Sequence, residues 1–157
     1  MDTRTVVLGV GNTLLSDEGV GVHVMERLRR DHPELDAVDF LDGGTLSFTL
    51  AGPMAEADQL IIIDAAELKS PPGTVSLFED GAMDDYLSHG KRRSVHEVSL
   101  LDLLAIAHLT DSIPPRRALI GIQPQQVDWG EEPSPAVAAA IPLACEMAVN
   151  LMRKWRQ

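Results

Sequence analysis

A single cysteine among 157 residues, Cys145, leaves no internal disulfide, no cysteine-built zinc site and no CxxC redox pair. Its neighbours Ala144 and Ala148 suggest a buried helical thiol with a structural role. Basic charge is scarce as well: 13 Lys and Arg face 24 Asp and Glu, a formal net charge of -11. That balance argues against nucleic acid and an anionic membrane surface, and favours a partner that is neutral or basic where it touches. No stretch approaches the roughly 20 apolar residues of a membrane span. The opening MDTRTVVLGVGN has no basic region followed by a long apolar one, so a cytoplasmic protein free of membrane is expected. HExxH, GxSxG and the P-loop GxxxxGK(S/T) are all absent, which removes the usual sequence support for zincin, serine-hydrolase and P-loop chemistry. There are no repeats and no low-complexity tracts.

What is present is a chain 45% hydrophobic, enough for one ordinary domain spanning 1–157 with a substantial core. Strand and helix signals alternate with short connections, the pattern of an α/β protein. Strands are predicted at Val6–Leu8, Ala37–Leu41, Leu60–Ile63 and Ala118–Ile122. A fifth, Thr74–Phe78, follows Pro71-Pro72-Gly73 with no room for a helical crossover, and is expected as an antiparallel edge. The sheet is thus five-stranded and mostly parallel. Val20, Val24 and Leu28 space a first helix that Asp31-His32-Pro33 stops, with Ser16 and Asp17 as N-caps. Thr45 caps a short helix toward Ala51, Ser94-x-x-Glu97 opens a helix through Ala107, and Ser134-Pro135 starts the last one, which Pro142 should kink. Gly81–Arg93 reads as a flexible loop.

The densest signal is VVLGVGNTLLSDEGVG, from Val6 to Gly21, a buried strand that passes through glycines into two adjacent carboxylates and a helix. A dinucleotide fingerprint fails on spacing, because its third glycine would fall at Leu14, and because Asp17 and Glu18 would repel a pyrophosphate. Ligands of an open parallel sheet collect beyond the carboxyl ends of its strands, where Glu18, Asp42, Asp64 and Gln123 all fall. His96, in the first turn of a capped helix, is the histidine best placed to join them, and His89 in the preceding loop is its rival. His23 and His32 read as solvated, and His108 sits near a helix C-terminus, where the dipole favours it. Two carboxylates and one imidazole suit a divalent transition metal with open positions. The competing reading makes these acids ordinary helix caps and the histidine a solvated one.

GVGNTLLSDEGVG, LDGGT at 41–45, LIIIDA at 60–65, SVHE at 94–97 and GIQP at 121–124 together resemble, in order and spacing, the NiFe-hydrogenase maturation endopeptidases. The resemblance implies a twisted sheet between helix layers, a three-layer α/β/α domain. It implies a cytoplasmic protease that removes a C-terminal extension from the large-subunit precursor of a NiFe hydrogenase after nickel insertion, and a monomer is expected. Glu18, Asp64 and His96 match the family's metal-contacting residues and are the candidate catalytic set. Asp42 matches its substrate-recognition aspartate, with Gly43, Gly44 and Gln123 as further substrate-binding candidates. The metal would be nickel carried by the substrate, for which zinc or cadmium could stand in, and no organic cofactor is implied. A bound divalent ion could polarise the scissile carbonyl or acidify a water, with a carboxylate as base. The alternative reading is a metal-sensing chaperone that binds the immature subunit without cutting it. A nucleotide-binding domain comes third.

Overall fold

The computed structural model describes residues 3–35, 37–44, 51–89, 105, 107, 111–125 and 128–156. Its strands are β1 (Thr5–Val10), β2 (Val38–Gly44), β3 (Gln59–Ala65), β4 (Val75–Glu79) and β5 (Arg116–Ile122). Its helices are α1 (Val20–Asp31), α2 (Ala51–Ala55), α3 (Gly81–His89) and α4 (Pro135–Trp155). One sheet runs in the order β2-β1-β3-β5-β4, parallel except for β4, which pairs antiparallel with β5. The predicted edge strand is therefore present. A turn at Pro71–Thr74, closed by the Thr74 hydroxyl donating to the Pro71 carbonyl at 2.7 Å, sends it back beside β5.

Strand periodicity of two sorts the apolar residues onto two faces. Val7, Ile61, Ile63, Ala118, Ile120 and Ile122 pack with α1 and α4, through Val24, Leu28, Ala144 and Ala148. Val6, Leu8, Val10, Leu60, Ile62 and Leu119 pack with Met54 of α2 and with Met83 and Leu87 of α3. Helices thus cover both faces, the expected α/β/α layering. Because β1 and β3 are buried on both sides, they read as unbroken apolar runs in the sequence.

The structure corrects four readings. Gly81–His89 is a helix, not a loop, because Met83 and Leu87, four apart, are both buried in the second core. Residues 90–93 of that predicted loop lie outside the described residues. Neither Ser16 nor Asp17 caps α1: its N-cap is Gly19, with no side-chain cap bond. His23 is only half-buried, but its Nε2 is shielded from solvent, so it is not simply solvated. Finally, α4 is long and apolar enough to cross a membrane by length and composition. Its stripe from Val137 to Trp155 is instead buried in the core. Thr45, the capping box at Ser94, and His108 lie outside the described residues, while Ala105 and Ala107 of the predicted helix are helical.

Cys145, 9% exposed on α4, points its thiol at the Val24 carbonyl, and burial pushes its pKa up to about 11. The unfolded thiol ionises near its ordinary value of roughly 8.5. Stability from the neutral thiol is therefore fully present below that pH and is lost as pH rises toward about 11. At pH 8 the native protein is expected to alkylate with iodoacetamide on the order of a hundredfold more slowly than the urea-unfolded chain, reflecting its depleted thiolate. Equal rates by mass spectrometry would show an open thiol.

Candidate functional site

The site is fixed by a change of direction in the sheet. From β1 the chain crosses to β2 on one side, then returns past β1 to β3 on the other. The carboxyl ends of β1 and β3 therefore flank a topological switch point, where open α/β sheets leave a crevice for ligands.

Two glycines bring the first carboxylate there. Gly11 takes φ +128, and a Cβ on it would meet the Glu18 carbonyl at 1.8 Å, so the 3-10 turn Ser16–Gly19 folds back over the end of β1. A Cβ on Gly21 would lie 2.0 Å from the Ile63 carbonyl. Only glycine lets α1 begin in direct contact with the end of β3, one residue before Asp64 and one helical turn after Glu18. Glu18 is half-buried and Asp64 is 2% exposed, so both acids sit where water is thinned.

Along this edge Asp42, Glu18, Asp64 and Gln123 follow one another on or just past β2, β1, β3 and β5. Asp42 lies inside β2, opposite Gly9, because the strand extends to Gly44 beyond its predicted end at Leu41. It is exposed, and its Oδ1 accepts the Gly44 N–H at 2.8 Å, an Asx turn that seats Gly44 at φ +34. The register slips here by a bulge between Gly9 and Val10, and Gly43 lies buried against Leu8 and Gly9. Gln123 is 6% exposed and heavily engaged. Its Oε1 accepts the Leu68 N–H at 2.6 Å, and its Nε2 donates to Glu67 at 3.2 Å and to the Pro124 carbonyl at 3.3 Å. It braces the β3–β4 connection against the end of β5. His96 lies outside the described residues, as does the side chain of its rival His89, whose backbone belongs to α3. Among the described residues no three His, Cys, Asp or Glu side chains form a metal-holding group.

The residue that sequence reasoning missed is Asp17. It is 0% exposed and receives three hydrogen bonds from segments more than a hundred residues away. The Ser134 N–H donates to Oδ1 at 2.6 Å, while the Ser134 hydroxyl and the Gln125 N–H each donate to Oδ2 at 2.8 Å. Ser134 is the N-cap of α4, so the carboxylate also faces the positive end of a long helix. Its neighbour Ser16, at φ +52, donates its hydroxyl to the Glu132 carbonyl at 3.0 Å. Asp17 thus anchors the turn that presents Glu18, and no local pattern at 16–18 could announce a partner at 134.

The fold and this edge define an open α/β protein with two acids at its switch point, and comparison with known proteins places it more narrowly. A family model described as hydrogenase maturation protease matches residues 22–151. The hydrogenase 2 maturation protease of Escherichia coli is 36% identical over 152 residues, 96% of this chain and 92% of that protein. The hydrogenase expression/formation protein HupD of Rhizobium leguminosarum is 37% identical over 97% of this chain and 75% of its own length. Among solved structures, the hydrogenase maturating endopeptidase HybD from E. coli superposes with a TM-score of 0.86 at 35% identity, covering 97% of this chain and 93% of that one. The HybD maturation protease from Thermococcus kodakarensis gives 0.80 at 29% identity, over 95% and 99%. The chain belongs to the hydrogenase maturation protease family, and the hydrolytic role that goes with it is that of an endopeptidase.

Proposed function

We propose that the chain removes the C-terminal extension of a NiFe-hydrogenase large-subunit precursor in the cytoplasm, and does so only once nickel is in place. The observation that carries this reading is the seating of Gly21 on the Ile63 carbonyl, which sets Glu18 beside the end of the strand bearing Asp64. Together with His96 from the SVHE segment, these acids make a donor set of two carboxylates and an imidazole, matched to a borderline divalent metal such as the precursor's nickel. Open positions on that nickel would take these side chains, so recognition and cutting share one metal that belongs to the substrate. A carboxylate of the pair then serves as general base toward the attacking water. Zinc or cadmium are suitable probes of the same donors.

The test incubates purified protein with nickel-loaded and with nickel-free precursor and weighs the large subunit by mass spectrometry. A shortened subunit in the first sample alone is the expected result. Binding without shortening would make the chain a metal-sensing chaperone, and shortening in both would remove nickel from recognition.

Asp42 has a separate expected role, since its exposed carboxylate beside Gly43 and Gly44 can reach an extended chain without completing the metal set. Asp42→Asn is therefore expected to change the ratio of kcat/KM between the native precursor and one from a related hydrogenase. The change should be roughly tenfold to a hundredfold, the scale of one charge-assisted hydrogen bond. His96→Ala should remove activity on both. Complete loss by both variants on both precursors would put Asp42 in the catalytic apparatus.

A further inference from the structure

Among the described residues four large apolar side chains are exposed, Leu14, Leu77, Trp129 and Leu143, with Trp129 the most open at 83%. Leu14 and Trp129 lie on segments bonded to each other. The Gly130 N–H donates to the Leu14 carbonyl at 2.9 Å, the Ser16 N–H donates to the Gly130 carbonyl at 2.7 Å, and Leu15 and Gly130 form a parallel bridge. Further along, Ser16 holds the Glu132 carbonyl and Asp17 holds Ser134. The strap from Asp128 to Ser134 is thus fastened at three points to the turn that carries Glu18. An apolar side chain displayed on a braced segment loses little freedom when it docks, which favours its use as a contact.

Charge narrows the occupant. Asp128, Glu131 and Glu132 flank Trp129 in sequence, all are exposed, and among the described residues none enters an ion pair. An indole face next to carboxylates suits a lysine or arginine stacked on the ring, with apolar neighbours against Leu14. A second copy of this chain is disfavoured, because a symmetric contact would set the same acidic strap of a -11 chain against itself. We propose that Leu14 and Trp129 form a docking surface for the hydrogenase precursor, taking an apolar segment that carries basic residues, next to the edge where Glu18 works. The inference rests on the proposed processing reaction.

The probe is the purified nickel-loaded precursor, with this protein labelled by 5-fluorotryptophan. Its two tryptophans then report separately, the exposed Trp129 and the buried Trp155, assigned with a Trp129→Phe variant. Precursor is expected to shift the Trp129 fluorine resonance and leave that of Trp155 in place. Trp129→Ala and Leu14→Ser should raise KM roughly tenfold or more, the scale of a tryptophan anchor, with kcat little changed. Reversing the charges of Glu131 and Glu132 to lysine should raise KM as well. If the parent cuts the precursor while Trp129→Ala keeps its KM and the resonance stays still, the docking surface is refuted and the processing reaction stands. If the parent binds without cutting and the resonance moves, the surface stands and the reaction falls. A resonance that moves with this protein's own concentration, accompanied by dimers in light scattering, assigns the patch to a second copy and overturns the proposal.

Discussion

Glu18→Gln is expected to keep the fold, with a melting temperature equal to or slightly above the parent's, while precursor processing falls by about 10²- to 10⁴-fold, the usual scale for a general acid–base group. The backbone of its turn is held by other groups: the Glu18 N–H donates to the Leu15 carbonyl at 3.1 Å, Ser16 is bonded to Gly130, and Asp17 to Ser134 and Gln125. None of these requires the Glu18 carboxylate. Glutamine preserves size and polarity, and it removes one of the two acids placed at this strand end. Sites arranged for function often gain stability when such a charge is neutralised. The check is a thermal melt followed by the mass assay on nickel-loaded precursor. A variant that unfolds would make Glu18 structural, and one that processes normally would take it out of the chemistry.

Legibility in the sequence follows the range of the interactions. β1, β3 and β5 were readable because burial on both faces leaves unbroken apolar runs, and β4 because Pro71-Pro72-Gly73 leaves no length for a crossover. The edge on which Glu18, Asp42, Asp64 and Gln123 fall was readable too, since parallel strands all present their carboxyl ends to one side. Helix α3 was not. It is nine residues long, its apolar pattern reduces to Met83, Tyr86 and Leu87, and it is held from outside by the Arg117 guanidinium on the Asp84 carboxylate. That ion pair raises the Arg117 pKa above its ordinary value, and neither partner predicts the other from 33 residues away. The same limit explains the reading of Asp17 as a cap. Ser-Asp before a helix is the local signature of capping, but here the tertiary structure takes the carboxylate away from α1 and gives it to α4.

That reassignment carries the second large effect, this time on stability. Asp17→Ala would leave the Ser134 N–H, the Ser134 hydroxyl and the Gln125 N–H without their acceptor at a carboxylate that is 0% exposed. Each orphaned donor costs about 1–3 kcal/mol. Because the three share one carboxylate their costs overlap, and the expected total is about 3–5 kcal/mol. Asp17→Asn should cost less, since its remaining oxygen still accepts, although its amide NH₂ meets a donor where the other oxygen stood. Ser134→Ala should cost least, about 1 kcal/mol, because the carboxylate keeps the Ser134 and Gln125 N–H donors. Urea unfolding of the three variants, with m-values compared to confirm a common transition, reads this order directly. A cost for Asp17→Ala no greater than that for Ser134→Ala would mean that the buried acid is not the anchor. If the order holds, Asp17→Asn should also process precursor more slowly than its stability loss alone accounts for under conditions where it is fully folded, because the turn it releases is the one that aims Glu18. The two acids of the Asp17-Glu18 pair then divide the work, one holding the turn to α4 and the other facing the substrate.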